Sequence, residues 1–245
     1  MQAVYRFLKK YVDPWARLDS IIPLASAFLF NTLIYFGTNY LTRDWHHYDF
    51  TLEIDRAVPF VPGFVWIYLG CYIFWIVNYL MVGHFDKKHF YQFVTADYTS
   101  RLVCLIFFIF LPTTNIRPEV LGDSAASGLM RWLYDVDMPS NLFPSIHCLV
   151  SWFCYIGIRG RKEIPRWYRA FSCFFALLVA ASTQFTKQHY IVDVIGGIGL
   201  AELMFYLSRR FQYYEIIKKF FEKINGKLYR LLLKSSCDAD NTSVT

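Results

Sequence analysis

Residues 60–82 read FVPGFVWIYLGCYIFWIVNYLMV, from Phe60 to Val82 without one charged side chain. At about 1.5 Å of rise per residue, such a run makes a helix long enough to cross a hydrocarbon layer about 30 Å thick. It leaves no polar face for water, so lipid is the solvent that fits it. Outward from it, Ile21–Leu41 and Phe171–Thr183 are equally free of charge. Across the chain 56% of residues are apolar and 18% charged, too little polar sequence to cover a soluble core of this size. Aromatic residues number 49 of 245, and many Tyr and Trp fall at the ends of apolar runs, where amphipathic rings prefer the headgroup layer.

Spans are expected near residues 20–41, 61–83, 99–113, 143–159, 167–184 and 190–208. The fold class is therefore all-α, a polytopic six-span membrane bundle with interfacial amphipathic helices. Residues 1–19 read as an interfacial N-terminal segment, 20–208 as the membrane domain and 209–245 as a basic amphipathic tail. Ala25-Ser26-Ala27 has the look of a cleavage site but lies inside its apolar run, so the first span is expected to stay uncleaved. Thr114–Leu142 is the longest polar connection, and Leu129, Met130, Trp132 and Leu133 within it mark a short interfacial helix. The six cysteines, Cys71, Cys104, Cys148, Cys154, Cys173 and Cys237, show no close pairing, and five lie in apolar runs as small core residues.

Lys and Arg are unevenly shared between alternate connections. With the tail set aside, 12 fall on the side of the N-terminus and 5 on the other, with Arg101 counted among the 12. Both termini are thereby expected in the cytoplasm. The formal charge of +6 sits beside spans, which points to an anionic lipid surface and away from nucleic acid. In the tail, Lys218, Lys219, Lys223, Lys227 and Arg230 alternate with Ile216, Ile217, Phe220, Phe221, Ile224, Leu228 and Leu231, an anchor for that surface.

Two segments carry chemistry. Asn141-Leu142-Phe143-Pro144-Ser145-Ile146-His147 enters the fourth span and Lys187-Gln188-His189-Tyr190-Ile191-Val192-Asp193 the sixth, both from the extracytoplasmic side. The 42 residues from His147 to His189 fit one helix down and one back, so the two histidines can meet. Helix N-termini there would offer free N–H groups and a positive dipole end to a phosphate. Pro144 suits a first helical turn, and Asn141 or Ser145 a cap. His189 and Asp193, spaced i, i+4, share a helix face, where the carboxylate can orient the ring. Asp123, Asp135 and Asp137 are candidate headgroup contacts that read more simply as solvated loop acids. His46 and His47 lack further ligands for a metal.

Pro144-Ser145-Ile146-His147, and Ser182 followed by His189 and Asp193, resemble the second and third signature motifs of the type 2 phosphatidic acid phosphatase superfamily. Arg117-Pro118 resembles the end of its first, and the resemblance covers roughly residues 60–208. It implies a phosphohistidine mechanism on a membrane lipid. His189 would attack phosphorus, Asp193 would orient it, and His147 would protonate the leaving alkoxide and later activate water or an acceptor alcohol. Arg117, Ser145 and Lys187 would bind the phosphoryl oxygens, with no metal and no cofactor. Three positions depart from the family pattern: Phe110 stands where a Lys is usual, Thr183 where an Arg is usual, and Ile146 where a Gly is usual.

The wording Lys187-Gln188-His189-Tyr190 with Asn141-Leu142-Phe143-Pro144-Ser145 is closer to the branch holding inositol phosphorylceramide synthases and sphingomyelin synthases. Hydrolysis of a phospholipid or prenyl phosphate is the first expectation. Headgroup transfer is the second, and a non-catalytic lipid carrier or flippase the third. A bacterial plasma membrane fits the compact chain, and a lumen-facing eukaryotic site fits the same topology. These patterns set no oligomeric state.

Overall fold

The computed structural model describes residues 2–234. Helices of 10 and 21 residues stand at its two extremes, α1 (Gln2–Tyr11) and α10 (Tyr214–Lys234). Between them run six main helices and two small ones. The main ones are α2 (Leu18–Thr42), α4 (Val65–Gly83), α5 (Lys87–Phe110), α7 (Ile146–Ile158), α8 (Arg166–Phe185) and α9 (Ile191–Phe211). The small ones are α3 (Glu53–Ala57) and α6 (Ala125–Val136). Two two-residue strands, β1 (Tyr48–Asp49) and β2 (Thr113–Thr114), pair in parallel and are the described exception to an all-α chain.

Four of the helices are long and apolar enough to cross a membrane: α2, α4 with its leading 3₁₀ turn from Pro62, α5 and α9. α8 has the length, but Arg166 and Arg169 in its first turn and a polar last turn dilute it. α7 has 13 residues, 10 of them buried, because α4, α5, α8 and α9 enclose it. Surrounded by protein, it needs neither a lipid-facing surface nor full span length.

The six main helices alternate in direction. Ser145 N–H donates to the Asp193 carbonyl at 3.1 Å, and Val61 N–H donates to the Phe185 carbonyl at 2.9 Å. Phe107 meets the Phe143 ring at 5.0 Å, and Asn141 donates to Thr38 Oγ1 at 2.7 Å. The starts of α4, α7 and α9 and the ends of α2, α5 and α8 thus gather at one end of the bundle. At the other end Lys87 pairs with Glu222 at 3.2 Å, Asn225 donates to the Asp19 carbonyl at 2.8 Å, and Tyr5 meets Tyr229 at 5.9 Å. α10 buries Tyr214 and Phe221 against the bundle and leaves Ile216, Phe220 and Leu231 exposed.

The largest correction concerns the third apolar stretch, expected from residue 99. The helix begins twelve residues earlier, at Lys87, because Asp97 and Arg101 pair with each other at 2.8 Å, each side chain 3% exposed. Arg101 therefore leaves the count of flanking cations, which becomes 11 to 5. α6 forms where a short helix was expected, with Ser124 as its N-cap and Met130 and Leu133 buried. Cys71, Cys104, Cys148 and Cys154 are buried and unpaired, Cys173 is half-buried, and Cys237 lies outside the described residues.

Candidate active site

His147 is the second residue of α7. Ser145 opens that helix as its N-cap, accepting from Cys148 N–H at 3.3 Å. Pro144 sits just outside the helix instead of in its first turn. Asn141 does not cap either: it adopts φ 55° and ties the loop to Thr38 and Asn39 of α2. A left-handed backbone is one that Asn tolerates better than most residues.

Three aromatic side chains at helical spacing on α4 hold the His147 ring. Tyr68 stacks on it with centroids 4.3 Å apart, Tyr72 meets it edge-on at 6.0 Å, and Trp75 lies tilted at 5.4 Å. The Tyr68 hydroxyl is 3.2 Å from Nδ1 and also donates to Asp137 Oδ2 at 3.3 Å, while the Tyr72 hydroxyl is 3.4 Å from Nε2. Tyr35 donates to the other oxygen of Asp137. Asp137 is thus a wired residue of the site and no solvated loop acid.

His189 stands one residue before Tyr190, the N-cap of α9, and faces His147, the two ring centroids 5.9 Å apart. Its Nδ1 lies 3.5 Å from Asp193 Oδ2 and forms no full hydrogen bond, while that oxygen accepts Tyr190 N–H at 2.9 Å. The expected pairing of His189 with Asp193 is therefore an approach, with the carboxylate also capping the helix. Asp55 of α3 accepts the next donor, Ile191 N–H, at 2.9 Å. Two N-terminal donors of α9 that were expected to await a phosphate are already satisfied inside the protein.

The two histidine-bearing helix starts can approach this closely because Gly197 lacks a side chain. A Cβ there would lie 2.5 Å from the Ser145 carbonyl oxygen, and one at Gly196 would strike the Phe143 ring at 2.5 Å. Arg117 comes from the loop after β2. Its guanidinium donates to the Asp137 carbonyl and to Gln188 Oε1, and it stacks over Tyr134 at 4.7 Å.

Lys187 is placed differently from Arg117. Its ammonium donates to the carbonyls of Asp55 and Val58 at 2.7 and 2.6 Å. Burial holds that ammonium below the ordinary lysine value, against the opposing pull of Asp55. Lys187 also takes φ 53°, which its side-chain bonds and the Asn115 bond to its carbonyl at 2.9 Å hold in place.

His147, His189, Arg117 and Asp137 line the mouth of a cavity of about 670 Å³. Ser145, Lys187 and Asp193 stand behind them. Below the mouth the walls become aliphatic and aromatic, with Phe28, Phe36, Ile76 and Leu80 from α2 and α4. The inner part is lined by Tyr79, Asp97 and Arg101. Among the described residues, no group of three or more His, Cys, Asp or Glu side chains is placed to hold a metal ion. Reading the sequence missed Tyr68, Tyr72, Trp75, Asp55 and Gln188. The aromatic trio carried a signal, since 68, 72 and 75 fall on one helix face, whereas Asp55 and Gln188 act through contacts with distant segments that no local pattern encodes.

No curated protein and no solved structure matches this chain. A family profile does, over residues 53–207, which contain His147, His189, Asp193, Arg117 and Asp137. The four membrane-length helices and that match make the chain an integral membrane protein of a phosphatase-type lipid enzyme family: it belongs to the PAP2 superfamily.

Proposed function

We propose that this chain is a lipid phosphoester enzyme that forms a phosphohistidine at His189 and hands the phosphoryl group to water. The observation that carries this reading is the facing pair of rings, His147 and His189, 5.9 Å apart at the mouth of a largely apolar cavity that reaches between the helices. An apolar chain would lie in the cavity while its phosphate sits between the two imidazoles.

In the first half-reaction Nε2 of His189 attacks phosphorus while Asp193, beside Nδ1, stabilises the charge that develops on the ring. The P–O bond to the lipid breaks and His147 gives its proton to the leaving alkoxide. In the second, His147 takes a proton from water, the water oxygen attacks phosphorus, and the N–P bond breaks to release phosphate. Arg117 neutralises the phosphoryl oxygens. The Asp137–Tyr68 pair orients His147: with the Tyr68 proton given to Asp137, its oxygen accepts Nδ1–H, and Nε2 is the atom that moves protons. Six spans, a cytoplasmic basic end resting on anionic lipid and an extracytoplasmic site complete the reading. Its support is the alternation of the six helices and the bias of cations to the end opposite the site.

Transfer to an acceptor alcohol is the second reading. It is favoured by Thr183, fully buried and bonded to the Ala180 carbonyl, where the family's phosphate-binding Arg is usual. The deciding experiment measures phosphate release from phosphatidic acid, phosphatidylglycerol phosphate and prenyl diphosphates under excess chelator, for wild type and His189→Ala. Chelator-resistant release that vanishes in the variant is the expected result. No release by wild type from any substrate sinks the hydrolase reading in favour of transfer or of lipid binding without chemistry.

A further inference from the structure

The phosphoryl chemistry at the mouth leaves the inner part of the same cavity unexplained. There, Asp97 and Arg101 lie one turn apart on α5, each side chain 3% exposed, joined at 2.8 Å. Tyr79 donates to the same Asp97 oxygen at 3.1 Å. An ion pair within an apolar helix is expensive to bury and tends to mark function when it faces a cavity. This pair is also incomplete: Nε and Nη1 of Arg101 have no acceptor among the described residues. Two such nitrogens on one guanidinium, in a side chain only 3% exposed, call for an acceptor.

Its depth indicates which partner. α4 and α5 run antiparallel, and Tyr79 of α4 meets Asp97. Arg101, four residues nearer the histidine end, stands about 6 Å higher, level with Trp75. Trp75 lies against His147, 5.4 Å between ring centroids. The Arg101 backbone therefore sits about one helical turn below the reacting end and its guanidinium turns back toward Asp97, at the depth where a lipid with its phosphate at the histidines places the first part of its chains.

We propose that Arg101, held by Asp97 and Tyr79, is a binding site for a carbonyl oxygen at the root of the substrate's chains. That carbonyl is the ester of a glycerolipid or the amide of an N-acyl sphingoid lipid, and the substrate class is an acyl lipid phosphoester, not a prenyl phosphate. A prenyl chain would seal the Arg101 nitrogens from water and offer no acceptor, which penalises binding. The inference rests on the lipid-phosphoester reading of the cavity.

The test compares four phosphates: diacyl phosphatidic acid, its dialkyl ether counterpart, ceramide 1-phosphate and farnesyl phosphate. Wild type is set against the double variant Asp97→Leu/Arg101→Met, which removes both charges together and strands neither. A carbonyl lipid is expected to exceed both carbonyl-free lipids in kcat/KM by about tenfold or more, as for one hydrogen bond to a charged group. The double variant brings that ratio near one, because the carbonyl lipid loses its donor and the ether lipid no longer strands one. Which carbonyl lipid leads, phosphatidic acid or ceramide 1-phosphate, assigns the oxygen to ester or amide. A preference absent from wild type, or one that survives in the double variant, overturns the proposal. Should the double variant fail to fold, Arg101→Lys keeps the charge, loses the planar fork and reads the same ratio. Displacement of a fluorescent lipid phosphate in micelles gives the ratio without turnover. Absence of phosphate release then defeats the hydrolase reading alone, and equal binding of diacyl and dialkyl lipids defeats this one.

Discussion

The two histidines meet at one point of the cavity, yet the protein holds them by opposite means. His147 is clamped by rings from α4, and its carboxylate, Asp137, reaches it only through the Tyr68 hydroxyl. His189 has its carboxylate, Asp193, directly beside Nδ1, on the next turn of the same chain segment. A direct carboxylate suits a ring that must carry positive charge on forming a bond to phosphorus. An indirect one suits a ring that gives and takes a proton, since it orients without locking the ring as a cation. The difference supports the proposed roles, His189 as nucleophile and His147 as acid and base.

Removing each ring tests that assignment most severely. His189→Ala should lower phosphate release by about 10⁴-fold or more, and His147→Ala by about 10²- to 10⁴-fold, as for loss of general acid–base help. Rapid quenching with labelled lipid should trap an acid-labile phosphoenzyme in His147→Ala and none in His189→Ala. A trapped phosphoenzyme in the His189 variant would reverse the roles.

The carboxylates come next. Asp193→Asn should reduce kcat by about 10²-fold or more, and Asp137→Asn by about tenfold, because the first faces the attacking ring and the second acts through Tyr68. Equal effects would erase the distinction drawn here. Asp193→Asn should also lower the melting temperature, since its carboxylate caps α9 through Tyr190 N–H.

The closeness of the two rings depends on Gly197. Gly197→Ala would push a methyl into the Ser145 carbonyl, now 2.5 Å from the Cβ position. We expect a loss of about 1–3 kcal/mol of stability, as for overpacking in a tight core. Activity should fall more than thermal stability does, measured in the same detergent. Unchanged activity would mean that α7 and α9 need not touch.

Tyr68→Phe should have the mildest effect. It keeps the stacking and removes the hydroxyl that joins His147 to Asp137, a loss of about 1 kcal/mol or some fivefold in kcat. The pH profile should change shape along with the rate, because the lost hydroxyl sets the His147 tautomer. A profile that only scales down would leave Tyr68 as packing.

Much of this was legible in the sequence, for physical reasons that attach to particular residues. The run from Phe60 to Val82 has no charged side chain and no polar face for water, so it declares its solvent without reference to any neighbour. The spacing of His189 and Asp193 fixes a shared face as soon as the segment is helical, and the span count between His147 and His189 returns the chain to one end. What could not be read locally depends on charges that cancel across a turn or on partners far along the chain. Arg101 counted as a cation flanking a span, and only folding brings it to Asp97 at 2.8 Å inside the helix. Lys187 looked like a phosphate ligand, and the tertiary structure turns it to the carbonyls of Asp55 and Val58, 132 and 129 residues away. By itself the sequence determined the solvent, most of the helices and the pair of histidines that meet at one end of the bundle, since each follows from periodicity and side-chain chemistry. The tertiary structure decided which cations face the cavity, how each histidine is held and how deep the polar lining reaches, because those depend on contacts between segments that share no local pattern.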